Sequence, residues 1–110
     1  MSITSSQKGD VSIIALTGSV DSKNAPLIRD ELLASLRDAR NVIIDMTGVD
    51  YLSSAGLRLL LLAYRDVTAH NGKIVLVGVS EEIQGVMANT GFIKFFHLVP
   101  SESEAMSSFA

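Results

Sequence analysis

The β-branched run Val42-Ile43-Ile44 and the leucine-rich stretch Leu57–Tyr64 stand on either side of one short polar segment. An apolar run without polar alternation is expected of a strand covered on both faces. Beyond the segment, Leu57, Leu60, Tyr64 and Val67 recur at 3.6-residue spacing with Ala63 beside them, which predicts a helix with one buried face. The intervening Asp45-Met-Thr-Gly-Val-Asp50 carries turn chemistry, namely short side chains that bond to backbone and a glycine free to take positive φ. Ser53 or Ser54 can cap the helix that follows, expected from about Ser54 to His70. A serine oxygen there accepts from an otherwise unpaired N–H of the first turn. Two hydroxyls thus sit where a helix offers partial positive charge and free donors, a setting that tolerates a phosphate.

The rest of the chain alternates in the same manner. Ile3–Lys8 reads as a weak first strand, Gly9-Asp10 as a hairpin turn and Val11–Thr17 as a stronger strand. Gly18–Lys23 is expected as a polar loop containing Asp21. Ser22 or Asn24 can cap the next helix, with Pro26 in its first turn. Ile28, Leu32, Leu36 and Ala39 mark that helix's apolar face, widened by Leu33. After a strand at Asn41–Met46 and the central helix, Asn71-Gly72 is a left-handed stop signal. Lys73–Val77 is a short buried strand. Ser80–Asn89 is a helix with a serine cap and apolar Ile83, Val86 and Met87, and Gly91 lies near its end. Phe95–Val99 is a last strand. Ser101 caps a short terminal helix in which Glu104 would complete a capping box. The order β-β-α-β-α-β-α-β-α predicts an α/β fold, with a mostly parallel central sheet, an N-terminal antiparallel hairpin strand and helices packed against it.

At 110 residues the chain fits one domain, residues 1–110. Its longest unbroken apolar run, Leu59–Tyr64, is far short of the roughly 20 residues that span a bilayer. The N-terminus lacks a basic-then-apolar leader. A soluble, cytoplasmic protein without membrane association is therefore expected. There is no cysteine, which excludes disulfides, thiol catalysis and cysteine-ligated metals. A net charge of −3 with no basic cluster argues against direct nucleic-acid binding. His70 and His97 lack metal-ligand spacing, so neither metal nor cofactor is expected. Ser53-Ser54-Ala55-Gly56 is not the Gly-x-Ser-x-Gly elbow of hydrolases, and no histidine obviously serves the serine as a base. Catalysis is not expected.

The pattern Asp45-x-Thr-x-Val-x-x-Leu-Ser-Ser-Ala-Gly-Leu-Arg resembles the signature of STAS domains, specifically of the bacterial anti-sigma factor antagonists. Leu16-Thr-Gly-Ser-Val-Asp21 is similar to that family's turn after its second strand, and length and element order fit as well. The resemblance implies a regulatory binding module. Unphosphorylated, it would bind an anti-sigma factor serine kinase and displace the sigma factor. Serine phosphorylation would release it, and a PP2C-type phosphatase would reset it. A free monomer is expected. The runner-up is a STAS subunit that docks without a switch, in a lipid-transport ATPase complex or a chemosensory assembly.

The resemblance also implies where the site lies. In the best-known members the phosphorylated Ser or Thr immediately precedes the glycine, and here that position is Ala55. Ser54 is therefore the expected acceptor, with Ser53 the second choice. The expected partner surface comprises Asp21, Ser53, Ser54, Ala55, Gly56, Arg58 and Leu62, the last an exposed leucine among polar positions. Asp45 reads equally as a turn former or as a carboxylate flanking the serines. The family implies that the Asp21 loop lies beside the serines, which the residues alone do not require.

Overall fold

The computed structural model describes residues 2–109. In chain order the elements are β1 (Ser2–Lys8), β2 (Val11–Val20), α1 (Ala25–Leu36), β3 (Asn41–Leu52), α2 (Ser54–Ala69), β4 (Lys73–Val77), α3 (Glu81–Thr90), β5 (His97–Val99) and α4 (Glu102–Ser107). The strands form one sheet in the order β1-β2-β3-β4-β5. β1 is antiparallel to β2, and every other neighbour is parallel. The expected α/β order with one antiparallel edge is the observed one.

Side-chain alternation divides the core unequally. Ile14 and Leu16 of β2, Val42, Ile44 and Met46 of β3, and Ile74 and Leu76 of β4 face α1, α2 and α3. Against them pack Ile28, Leu32 and Leu36 of α1, Leu57, Leu60 and Val67 of α2, and Ile83 and Met87 of α3. The opposite face holds Val11, Ile13, Ile43, Val75 and Val77, covered by Ala105, Met106 and Phe109 at the C-terminus. Lys8 Nζ reaches Glu102 Oε2 at 2.6 Å and Lys73 Nζ reaches the Ser108 carbonyl at 2.9 Å, pinning α4 at both ends. Ile43 and Ile44 thus point into different layers, and their unbroken apolar run follows from that.

β2 and β3 extend further than their residue types suggest. Val11–Thr17 and Asn41–Met46 were the expected spans, with turns to follow. Instead the two strands stay paired to Val20 and Leu52 across two irregularities, between Ala15 and Thr17 and between Gly18 and Ser19. At each, β3 contributes one more residue than β2, the definition of a bulge. Asp45 supplies its turn chemistry inside the first bulge, where Oδ1 accepts from the Thr47 N–H at 2.9 Å and from its hydroxyl at 2.6 Å. Gly48 is not at positive φ. Its need is space, since a Cβ there would meet Thr17 Cγ2 at 2.8 Å.

Two smaller expectations also change. Phe92–Phe95 forms a 3-10 turn, so the final strand begins at His97 rather than Phe95. Phe95 and Phe96 set their rings 5.5 and 5.6 Å from that of Tyr64. Val86 is exposed, because α3 buries only the narrow stripe of Ile83 and Met87.

Candidate functional site

The site forms where β2 and β3 end side by side. Val20 is paired with Leu52, and the Ser53 N–H donates to the Val20 carbonyl at 2.9 Å. The Asp21 turn and the start of α2 are thereby adjacent. The loop after β2 locks itself: Asp21 Oδ1 accepts from the N–H groups of Lys23 (2.9 Å) and Asn24 (3.1 Å). Asn24 replies, accepting from the Asp21 N–H at 3.0 Å and donating from Nδ2 to the Ser19 carbonyl at 2.8 Å. Asn24 occupies the cap position of α1 without making a side-chain cap bond, because its amide is committed to this turn.

The two serines separate by role. Ser53 has extended backbone and is the cap of α2, with Oγ accepting from the Gly56 N–H at 3.3 Å. It is half-buried. Ser54 is the first helical residue, exposed, and its hydroxyl makes no hydrogen bond among the described residues. Ala55 is half-buried and packs against the core.

Gly56 is buried, which removes it from the directly contacting surface expected of it. A Cβ at this position would lie 2.5 Å from Leu52 Cδ1 and 3.0 Å from Val20 Cγ1. The absent side chain lets α2 start against the ends of β2 and β3. Gly56 therefore sets the position of Ser54 instead of presenting a surface.

Leu62 is half-buried rather than exposed. It lines a groove of about 270 Å³ between α1 and α2, together with Ala55, Arg58, Leu59, Pro26 and Arg29. The α1 side of this groove was not apparent in the sequence. It follows from pairing β2 directly with β3, which brings together the helices that leave their ends. Tyr51, two residues before Ser53, is 56 % exposed beside the start of α2.

Asp45 does not flank the serines. The β2 partners of Asp45 and Leu52, Ala15 and Val20, lie five residue steps apart, about 17 Å of strand. His70 lies at the far end of α2, its Nδ1 2.8 Å from the Asp66 carbonyl. Sixteen helical residues put it about 24 Å from Ser54. No group of His, Asp and Glu able to hold a metal occurs among the described residues. No described helix is long and apolar enough to cross a membrane.

The chain resembles known proteins in sequence and in fold. The STAS domain family model matches residues 2–105. BtrV of Bordetella bronchiseptica, a candidate anti-sigma factor antagonist, is 32% identical over 110 residues, spanning 99% of this chain and 95% of its own. A candidate anti-sigma factor antagonist from Thermotoga maritima superposes with a TM-score of 0.89 at 18% identity, covering 96% of this chain and 92% of its own. The phosphorylated form of the Bacillus cell-fate determinant SpoIIAA superposes with a TM-score of 0.75 at 20% identity, covering 99% and 100%. At those identities the two structures speak to fold alone. The family match over nearly the whole chain, with the BtrV similarity, decides the assignment: this chain belongs to the STAS domain family.

Proposed function

We propose that this protein is an anti-sigma factor antagonist that acts by partner switching. With Ser54 unmodified it binds an anti-sigma factor serine kinase in the cytoplasm and frees the sigma factor. Phosphorylation of Ser54 by that kinase ends the complex, and a PP2C-type phosphatase restores it. The protein is a binding module, not an enzyme, and is a monomer when free.

The observation that carries this reading is the contrast between Ser53 and Ser54. Ser53 Oγ is engaged in the helix cap, whereas Ser54 presents an exposed, unengaged hydroxyl one residue later. A kinase needs the second kind. Ala55 at the family's usual acceptor position is half-buried against the core, so moving the hydroxyl back by one residue brings it to the accessible side. A phosphate on Ser54 meets the positive end of α2, which favours the fold by about 0.3–1 kcal/mol. The same charge disfavours a desolvated interface beside Asp21 unless cations meet it. Binding by BtrV-like relatives to anti-sigma factors, implied by what they are named, supports the partner class.

Phosphate-affinity electrophoresis of the native protein tests the reading, with Ser53→Ala and Ser54→Ala in parallel. A retarded band should be present in the native and Ser53→Ala proteins and absent from Ser54→Ala. Loss in Ser53→Ala alone would move the acceptor and keep the mechanism. No retarded band in any of them, with an Asp at either serine binding normally, would replace the switch by a docking subunit of another complex. Ala55 is the residue that favours this second reading.

A further inference from the structure

The groove beside Ser54 carries charges that the switch alone does not use. Arg58 follows Ser54 by four residues, and side chains so spaced on a helix are neighbours with Cβ atoms about 5–6 Å apart. Helical side chains lean toward the N-terminus, which puts the Ser54 position within reach of an extended Arg58 side chain. The neighbours of Arg58 at three and four residues are Ser54, Ala55, Leu61 and Leu62, none acidic. Those of Arg29 are Ala25, Pro26, Leu32 and Leu33, again none acidic. Arg58 forms no ion pair among the described residues, and Arg29 forms only a 3.5 Å contact with the adjacent, exposed Asp30. Asp21, the nearest acid on the β2 loop, has one carboxylate oxygen bound to backbone N–H groups.

Both arginines line the groove together with the apolar Ala25, Pro26, Leu59 and Leu62. A chain of net charge −3 thus sets two underused cations at the mouth of an apolar cleft. The complement of that surface is an apolar side chain flanked by a carboxylate. Guanidinium is suited to it, since its planar fork matches a carboxylate or a phosphate in two parallel hydrogen bonds.

We propose that Arg58 is a shared anion receptor. In the unmodified protein it and Arg29 hold a carboxylate of the protein partner whose neighbouring apolar side chain enters the α1–α2 groove. In the phosphorylated protein the same guanidinium is taken by the phosphate on Ser54. This rests on Ser54 being the modified residue. The phosphate carries about −1.5 to −2 charges and is tethered one turn away, so it competes at high effective concentration. The switch then works by removing a docking cation as well as by adding an anion.

Two readouts test this without the natural partner. The first is a ³¹P NMR titration of protein carrying phosphoserine at position 54, installed during translation. Replacing Arg58→Gln should raise the second phosphate pKa by about 0.3–0.5 pH units. Arg58→Lys should raise it less, and 1 M salt should erase most of the difference. The second compares two fluorescein-labelled amphipathic peptides, one of leucine and glutamate, one of leucine and lysine. The unmodified protein should bind the acidic peptide in preference. Arg58→Gln and phosphorylation of Ser54 should each weaken that binding by at least about tenfold. An unchanged phosphate pKa in Arg58→Gln, or equal binding of the two peptides, overturns the proposal. Retarded bands that depend on Ser54 would then leave the kinase switch standing without its receptor. A clear Arg58 effect with no native phosphorylation would leave the receptor standing without the switch.

Discussion

The Ser53 N–H and the Val20 carbonyl are joined by a 2.9 Å hydrogen bond, so the cap of α2 is also the last rung of the β2–β3 ladder. One residue belongs to two elements at once. That bond makes the start of α2 part of the sheet rather than of a loop, and it holds Ser54 on a rigid base. A phosphate on a serine mounted this way would change a surface without moving a fold.

Ser53 and Ser54 should therefore respond differently to the same substitution. Ser53→Ala removes the acceptor for the Gly56 N–H and should cost about 1 kcal/mol of stability. Ser54→Ala should cost only a few tenths. Urea denaturation of both variants checks this, and equal losses would mean that the cap assignment is wrong.

Ser54→Asp should leave the thermal midpoint nearly unchanged, since an acid is favourable at the first helical position. It should weaken binding to the anti-sigma factor kinase by at least about tenfold, near 1.4 kcal/mol. Titration calorimetry reads the second quantity. Full affinity in Ser54→Asp would count against a charge-based switch.

Gly56→Ala should destabilise by about 1–3 kcal/mol, the range for a forced contact in a packed region. The contact is with Leu52 Cδ1, so Leu52→Ala should cost less in the Gly56→Ala background than alone. A double-mutant cycle measures this coupling. Additive losses would show that the two residues do not meet.

Leu60, 1% exposed, should lose about 2–5 kcal/mol on substitution by alanine. A loss of a few tenths would mean that the buried face of α2 has been misjudged. Purified protein should also show no esterase or phosphatase turnover above buffer. Activity abolished by Ser54→Ala would overturn the binding-module reading.

Much of this was legible in the residues. Leu60 and Met87 announce the core by period and Ile44 by its unbroken β-branched run, and Ser80 and Ser101 cap their helices by accepting from Ile83 and Glu104 N–H groups as their positions suggest. Asn71 takes the left-handed conformation expected of a helix stop, with φ of 60°. The ends of β2 and β3 were less legible for a physical reason. Asp45, Thr47, Gly48 and Gly18 are turn residues by type, and a bulge uses the same local chemistry as a turn. Only the pairing partner distinguishes the two. The groove was hidden for a related reason. Pro26 and Arg29 are unremarkable on α1 until α2 is set beside them. The burial of Gly56 is hidden in the sequence, because a glycine before Leu57 gives no hint of what its missing side chain would strike.

The two bulges have a consequence for how this region tolerates change. Along β3 the positions buried under the helices run Val42, Ile44, Met46 in steps of two and then Val49 and Leu52 in steps of three. Each extra residue flips the phase of everything downstream, and the pair restores it. β3 therefore behaves as a reading frame. Deleting one residue between Met46 and Val49 should remove the first bulge and leave Val49 and Leu52 facing the helices, whereas deleting one between Val42 and Met46, where β3 has no extra residue to lose, should throw Leu52 and the serine pair out of phase. Substitutions near Thr47–Gly48 act locally, but a change in residue count in the regularly paired part of β3 is transmitted by alternation to a hydroxyl that lies at the far end of the strand.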